Sequence, residues 1–187
     1  TRELNEKIDS MLFERTAISK KPELQINKEL KELKENQKVT PDIVFRDPYV
    51  LDFLGLEDNF SERNLEEAIL RELEKFIMEL GQGFTFVDRQ KRMLIDGEIH
   101  KLYLLFYHRK LKRLIAIDLK LGKFKAAYKG QMELYLRYIQ KHELEPGEDS
   151  PIGLLLCTEG NNEQIELLQL ENSGIRVAEY ITELPPK

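Results

Sequence analysis

The sequence predicts an α/β domain whose core runs helix, three-stranded meander, helix, strand, helix, strand, with further helices ahead of it. Three observations predict it. Phe84 to Lys120 holds three strand-like runs in close succession, with Asp96-Gly97, the strongest short hairpin signal, between the first two. Helical stretches stand on either side of this meander, one ending near Leu80 and one running from about Phe124 to His142. Past Pro151, two apolar runs are separated by a helix-like segment, so the later strands need crossover helices and can lie parallel.

Taken in order, Arg2 to Thr16 and Pro22 to Glu35 read as two charged, moderately apolar helices. Asn36 to Asp42 is polar, contains a proline and reads as a joint. This gives an N-terminal helical segment over residues 1–40, the tail of an upstream helical domain or a linker, and an α/β domain over 41–187. Phe45 to Leu56 (FRDPYVLDFLGL) is too aromatic and aliphatic for a linker and is expected to dock on the core. Ser61 opens a helix to about Leu80, with Ser61 and Asn64 as caps and Gly81 and Gly83 as its end. The strands are expected at Phe84–Ile95, Glu98–His108 and Arg113–Lys120, the last two joined by a basic turn over Arg109–Lys112. Ile152–Thr158 is a buried-type strand, Asn162–Glu171 a helix and Gly174–Ile181 the last strand.

At 187 residues the chain can bury one full core. Its longest apolar runs, such as Leu102–Tyr107 and Ile152–Cys157, are far too short to cross a bilayer, so no membrane partner is expected. One cysteine, Cys157, allows no internal disulfide and points to the cytoplasm. The start at Thr1, without methionine or secretory signal, suggests a downstream piece of a longer protein. Net charge is −5, yet Asp88 to Lys129 carries 12 Lys and Arg against 4 Asp and Glu, a local +8 that leaves −13 elsewhere. Such asymmetry suits an electrostatic footprint for phosphate, and equally charge segregated on solvated faces.

The third strand reads Leu114-Ile115-Ala116-Ile117-Asp118-Leu119-Lys120. Alternation puts Asp118 and Lys120 on one face and Ile115, Ile117 and Leu119 on the other. A carboxylate can hold a divalent cation, and a lysine two residues on can orient or deprotonate a water beside it. On spacing alone, D-x-K fits a surface ion pair as well. In the preceding helix, Leu70, Leu73, Ile77 and Leu80 fall within about 40° of Glu66 at 100° per residue, which centres Glu66 on the apolar face. A buried carboxylate needs a partner, such as a metal or a lysine, unless its tip reaches water. In the following helix, Gln131 and Tyr135 share a face with Ala127 and Tyr138, where they either serve the site or pack as a core-edge pair.

Together, a helix Glu, a strand D-x-K and a Q-x-x-x-Y on this scaffold resemble the PD-(D/E)XK (restriction-endonuclease-like) nuclease superfamily in its RecB-like form. The words FRDPYVLDFLGL, ELGQGFTFV, LLFYHRKLKRLIAIDLK, LGKFKAAYKGQMELYL and GIRVAEYITELPP closely resemble the C-terminal domain of the YhcG-like family of bacterial proteins. The resemblance spans essentially the whole chain. It implies an upstream helical domain, a cytoplasmic location and a nuclease using Mg²⁺ or Mn²⁺. It also implies nucleic acid as partner, DNA ahead of RNA, and association with restriction–modification or other defence loci. A homo-oligomer stays open. By resemblance Asp118 and Lys120 are the (D/E)xK, Glu66 is the helix acid, and Gln131 and Tyr135 are the Q-x-x-x-Y; Asp118 and Glu66 are then the metal ligands.

One position departs. The family places an aspartate just before LLFYH, and this chain has Tyr103 there. If the turn closes symmetrically on Lys110-Leu111, Tyr103 lies opposite Asp118, where tyrosine is a poor ligand for a hard cation. Metal is therefore expected to be held weakly or not at all. Asp96 cannot substitute, since seven residues along a strand is over roughly 20 Å. His108, beside the turn, reads as a surface or phosphate-contacting residue. Arg109, Lys110, Lys112, Lys123, Lys125 and Lys129 are the candidate phosphate contacts, on a basic surface flanking the site. Three readings follow: an active metal-dependent nuclease, a nuclease-fold module that binds nucleic acid but cuts poorly, or a protein-interaction domain using Phe45–Leu56 or the acidic tail.

Overall fold

The computed structural model describes residues 39–160 and 162–186. The two helices expected before Asn36 lie outside the described residues. In chain order the elements are α1 (Pro41–Val44), β1 (Tyr49–Val50), a 3-10 turn at Asp52–Leu54, α2 (Glu62–Arg71), α3 (Leu73–Leu80), β2 (Phe84–Ile95), β3 (Glu98–His108), β4 (Arg113–Lys123), α4 (Ala126–His142), β5 (Ile152–Glu159), α5 (Asn162–Leu168), a 3-10 turn at Leu170–Ser173 and β6 (Ile175–Ile181).

The strands form one sheet in the order β1-β6-β5-β4-β3-β2. β2, β3 and β4 pair antiparallel as the meander requires, while β4, β5, β6 and β1 pair parallel, with α4 crossing over between β4 and β5 and α5 between β5 and β6. Strand alternation sorts the layers. Ile115, Ile117 and Leu119 of β4 pack with Leu65, Ile69, Phe76 and Leu80 of α2 and α3. Leu114 and Ala116 face the other way, into Met132, Tyr135, Leu136 and Ile139 of α4. Each such large apolar side chain contributes roughly 1.5–3 kcal/mol on full burial. β5, continuous in apolar residues, is buried on both faces from Ile152 to Cys157. Gly153 lets α4 close on it: a Cβ there would stand 2.6 Å from Met132 Cγ.

Ser61 caps α2 through a reciprocal box with Asn64, each side chain accepting the other's backbone N–H. Gly97 follows Asp96 in the hairpin, both with positive φ (77° and 50°), as a primed turn needs. The helix expected from Ser61 to Leu80 is interrupted at Glu72, whose backbone (φ −107°, ψ 33°) leaves the helical range. In α2 the buried residues are Leu65, Ala68 and Ile69. Glu66 lies about 100° round from their centre, at the half-buried edge of the apolar stripe. Its expected place at the middle of that face is therefore corrected: Leu70, Leu73 and Ile77, which suggested it, are only partly buried.

Other boundaries move for local reasons. β4 runs on to Lys123 because Lys123 regains pairing with Glu159 after a register shift. α5 stops at Leu168, since Gln169 takes a left-handed conformation (φ 47°) before the 3-10 turn. Phe45–Leu56 does dock, and more intimately than a packed segment: Tyr49 and Val50 add a sixth strand beside Tyr180 and Ile181. Tyr49, Leu51 and Leu54 are core residues. Asp47, Asp52 and Gly55 of the segment stay exposed, and Phe45, Val50, Phe53 and Leu56 are partly buried.

Candidate active site

Pairing of β3 with β4 runs from His108↔Arg113 to Leu104↔Ile117 and stops there. One step further sets Tyr103 against Asp118, as a symmetric turn requires, so the strands part at these two residues. Beyond this fork β3 stays with β2, and β4 stays with β5. Gln90, which falls between the Arg89↔Leu104 and Lys91↔Leu102 pairs beside Tyr103, is a non-glycine residue with φ 47°. Irregular backbone of this kind on a strand edge locally bends it. The fork allows groups from the two faces of the sheet to feel one another.

Asp118 and Lys120 project together, with Nζ 3.4 Å from Asp118 Oδ2 and only 14% and 16% of their side chains exposed. Burial holds the Asp118 carboxyl above its ordinary value, against the pull of Lys120. For Lys120, burial works toward a lower value but is outweighed by Asp118 and Glu62, so the ammonium is held above its usual range. Tyr180 donates its hydroxyl to the Lys120 carbonyl at 3.2 Å, and the Lys120 ammonium lies 5.1 Å from the Tyr128 ring centroid.

Glu66 approaches from α2. Its carboxyl is raised first by burial and next by the charge of Asp118, with Glu62 adding to this and Lys120 and Lys101 opposing it. Tyr103 packs in the same core as the buried residues of α2. Buried to 4% exposure, it donates its hydroxyl to the Glu66 backbone carbonyl at 2.7 Å. Burial, then the Glu66 and Asp118 charges, hold the phenol far above its ordinary value, so it stays neutral. Tyr135 is buried, and its phenol is raised by burial and then by Asp118, with Lys120 and Gln131 opposing. Gln131 itself is exposed.

Glu62 was missing from the sequence-derived set. It precedes Glu66 by one helical turn, a spacing that could have revealed it. Its Oε1 accepts from Leu121 N at 3.4 Å, and its charge acts on Glu66, Asp118 and Lys120. Among the described residues, no group of three or more His, Cys, Asp or Glu is placed to hold a metal ion.

The basic residues divide. Lys123, Lys125 and Lys129 follow Lys120 directly at the site end of β4. Lys129 is 3.3 Å from Glu133. Arg109, Lys110 and Lys112 sit at the opposite end of the strand, roughly 20 Å from Asp118 at 3.3 Å per residue. These three do not flank the site. His108 is also corrected: it is buried, its ring nitrogens bonded to Gln82 O (3.1 Å) and Leu111 N (3.2 Å). Hydrophobic neighbours on β3 and the ring contact with Phe84 explain why it turns inward. A cavity of about 390 Å³ near Arg113, Arg137 and Ser150 lies among residues outside this site. No helix among the described residues is long and apolar enough to cross a membrane.

The family model described as the YhcG PDDEXK nuclease domain matches residues 42–187, which puts this chain in the class of PD-(D/E)XK nuclease domains. A curated protein of Escherichia coli (strain K12), "Putative nuclease YhcG", is 38% identical over 185 residues, covering 98% of this chain and 48% of its own length. The chain belongs to the YhcG PDDEXK nuclease domain family, and it spans about half the length of that relative. Among solved structures, a repair endonuclease from Pyrococcus abyssi is 20% identical with a TM-score of 0.44, over 70% of this chain and 50% of its own. The EndoMS–dsDNA2 complex is 19% identical with a TM-score of 0.42, over 71% and 49%.

Proposed function

We propose that this domain is a metal-dependent nuclease that hydrolyses phosphodiester bonds, with DNA ahead of RNA as substrate, in a cytoplasmic restriction–modification or defence setting. The observation that carries the reading is the largely buried Asp118–Lys120 pair at the fork, with Glu66 raised by burial and next by the Asp118 charge. Two carboxylates that repel one another in a desolvated corner suit a hard cation, which would relieve both. Asp118 and Glu66 would hold Mg²⁺ or Mn²⁺, one anionic donor short because Tyr103 is neutral. When bound, the ion supplies Lewis-acid stabilisation of phosphate oxygens and lowers the pKa of a water.

The chain's own residues would do the rest. Lys120 offers a donor-only ammonium to the negative charge that builds on the phosphate. Gln131 and Tyr135, four residues apart on α4, would orient a phosphate oxygen or the lysine. Lys123, Lys125 and Lys129 would hold the backbone of the nucleic acid.

A second reading, binding without efficient cleavage, is favoured by one contact, the Tyr103 hydroxyl on the Glu66 carbonyl, which ties up the place of the expected aspartate. Labelled duplex DNA and single-stranded RNA, incubated with Mg²⁺ or Mn²⁺ and the chain, its Asp118→Ala variant or its Tyr103→Asp variant, would separate the two. Cutting lost in Asp118→Ala supports the first reading. Binding with cutting that appears only in Tyr103→Asp supports the second. No binding and no cutting by any of them overturns both.

A further inference from the structure

Lys120 is held from three sides, and only one of them belongs to the acid–lysine motif. Its carbonyl accepts from Tyr180, and its ammonium is 3.4 Å from Asp118 Oδ2. That distance exceeds the roughly 2.7–2.9 Å of a charge-assisted hydrogen bond, so Asp118 alone does not fix the direction of a flexible side chain. The third side is Tyr128, whose ring centroid lies 5.1 Å from Nζ, inside the reach of about 6 Å at which a ring face attracts a cation.

Tyr128 is itself well placed to give direction. It sits in the first turn of α4, with its N–H on the Lys125 carbonyl at 2.9 Å. Its ring is partly buried and packs edge-on against the buried Phe124, centroids 6.2 Å apart at 79°. Tyr128 also stands three residues before Gln131 and seven before Tyr135, on the same helical face. The groups around the ammonium are thus Asp118 on β4, Glu62 and Glu66 on α2, Tyr128 and Tyr135 on α4, and Cys157 on β5. Of these, Tyr128 is the one whose ring face lies against it.

We propose that Tyr128 is a positioning residue: its ring face keeps the Lys120 ammonium aimed into the fork when the Asp118 carboxylate engages another partner. Without the ring, the lysine is free to swing toward solvent and must be re-ordered in each turnover. This rests on the reading that Lys120 acts on the scissile phosphate. The ring is what matters, and the hydroxyl is dispensable, so phenylalanine should replace tyrosine and leucine should not.

The test uses the whole chain with Tyr128→Leu, Tyr128→Phe, Lys120→Ala and the Tyr128→Leu/Lys120→Ala double variant. Single-turnover cleavage of a DNA duplex should fall about 5- to 30-fold in Tyr128→Leu, with unchanged Kd, and recover in Tyr128→Phe. In the Lys120→Ala background Tyr128→Leu should add nothing. An NMR readout independent of activity goes with it: the Lys120 ε-methylene protons should be ring-shifted upfield with Tyr or Phe at 128 and unshifted with Leu. Additive losses, a Phe variant as impaired as Leu, or an unshifted methylene in the parent chain would each overturn the proposal. If Lys120→Ala leaves cutting intact while the methylene is ring-shifted, the contact stands and the nuclease reading of Lys120 fails. Should no variant cut, the methylene shift alone decides.

Discussion

Tyr103 stands where the family resemblance calls for an aspartate, and its surroundings explain why the exchange is more than a lost ligand. The phenol is packed among α2 side chains and bonded to the Glu66 carbonyl, so it ties β3 to the helix that carries the second acid. Tyr103→Asp should therefore act in two directions. Metal-dependent cleavage should rise, while stability should fall by about 3–5 kcal/mol, the usual cost of removing a buried aromatic. Tyr103→Phe separates the two effects, costing about 1 kcal/mol for the hydrogen bond and gaining no cleavage. Chemical denaturation of the three chains beside a cleavage assay checks this; a stable Tyr103→Asp variant would mean that the tie matters little. Glu66 provides a second residue-level prediction. Its carboxyl is raised by burial and by Asp118, so the folded chain binds the proton more tightly than the unfolded one does. Stability then falls as pH rises from the ordinary carboxylate value of 4.5 through the raised one. Glu66→Gln removes that loss: its melting temperature should match the parent near pH 4 and exceed it at pH 8. An equal gap at both values would show that charge is not the cause.

At the scale of elements, His108 shows how a residue beside a turn becomes part of the frame. Its ring joins Gln82, just before β2, to Leu111 in the β3–β4 turn, accepting from Leu111 N and donating to Gln82 O as the neutral form allows. Burial chiefly holds its pKa below 6.5, so the unfolded chain takes the proton first. Its stabilising contribution is complete above about pH 6.5 and is lost as pH falls through that value toward the lowered one. Thermal melts from pH 8 to pH 5 should decline less steeply in His108→Gln than in the parent, from a lower starting point. The sequence did not reveal this residue because strand alternation says which face a side chain takes, and not how deep that face lies. The hairpin and the meander register were legible, because Asp96-Gly97 and the symmetric closure on Lys110-Leu111 are local signals. The shared facing of Asp118 and Lys120 was legible because it depends on one strand's period. Glu62, Tyr128 and the two-residue strand β1 were not, since their contacts come from separate elements: Glu62 reaches β4, Tyr128 reaches Lys120, and Tyr49 pairs with a strand 131 residues later. The break at Glu72 has no sequence mark, and reading one uninterrupted helix displaced Glu66 toward the centre of its stripe.

Over the whole molecule, charge is the property that most needs the fold to be interpreted. The +8 of residues 88–129 reads as one basic surface along the chain, but β4 divides it between two ends. Lys123, Lys125 and Lys129 accompany the fork, and Lys101 acts on Glu66 from β3. Arg109, Lys110 and Lys112 lie roughly 20 Å away at the far end of the strand. A nucleic acid whose scissile phosphate sits at Lys120 meets the first group at once and reaches the second only by running the length of β4. Neutralising each phosphate contact should lower the slope of log K against log salt by about 0.7–0.9 in magnitude. Lys123→Gln with Lys125→Gln should therefore weaken duplex DNA binding and flatten that slope by about 1.8, if both lysines meet phosphate. Lys129→Gln should have a smaller effect because Glu133 already holds its ammonium at 3.3 Å. Arg109→Gln with Lys110→Gln should leave the slope for a short duplex unchanged. Fluorescence anisotropy with a labelled duplex, titrated from low to moderate salt, measures all four slopes. A larger loss from the Arg109–Lys110 end would place the nucleic acid along the opposite end of β4, away from Asp118, and would separate the binding surface from the proposed active site.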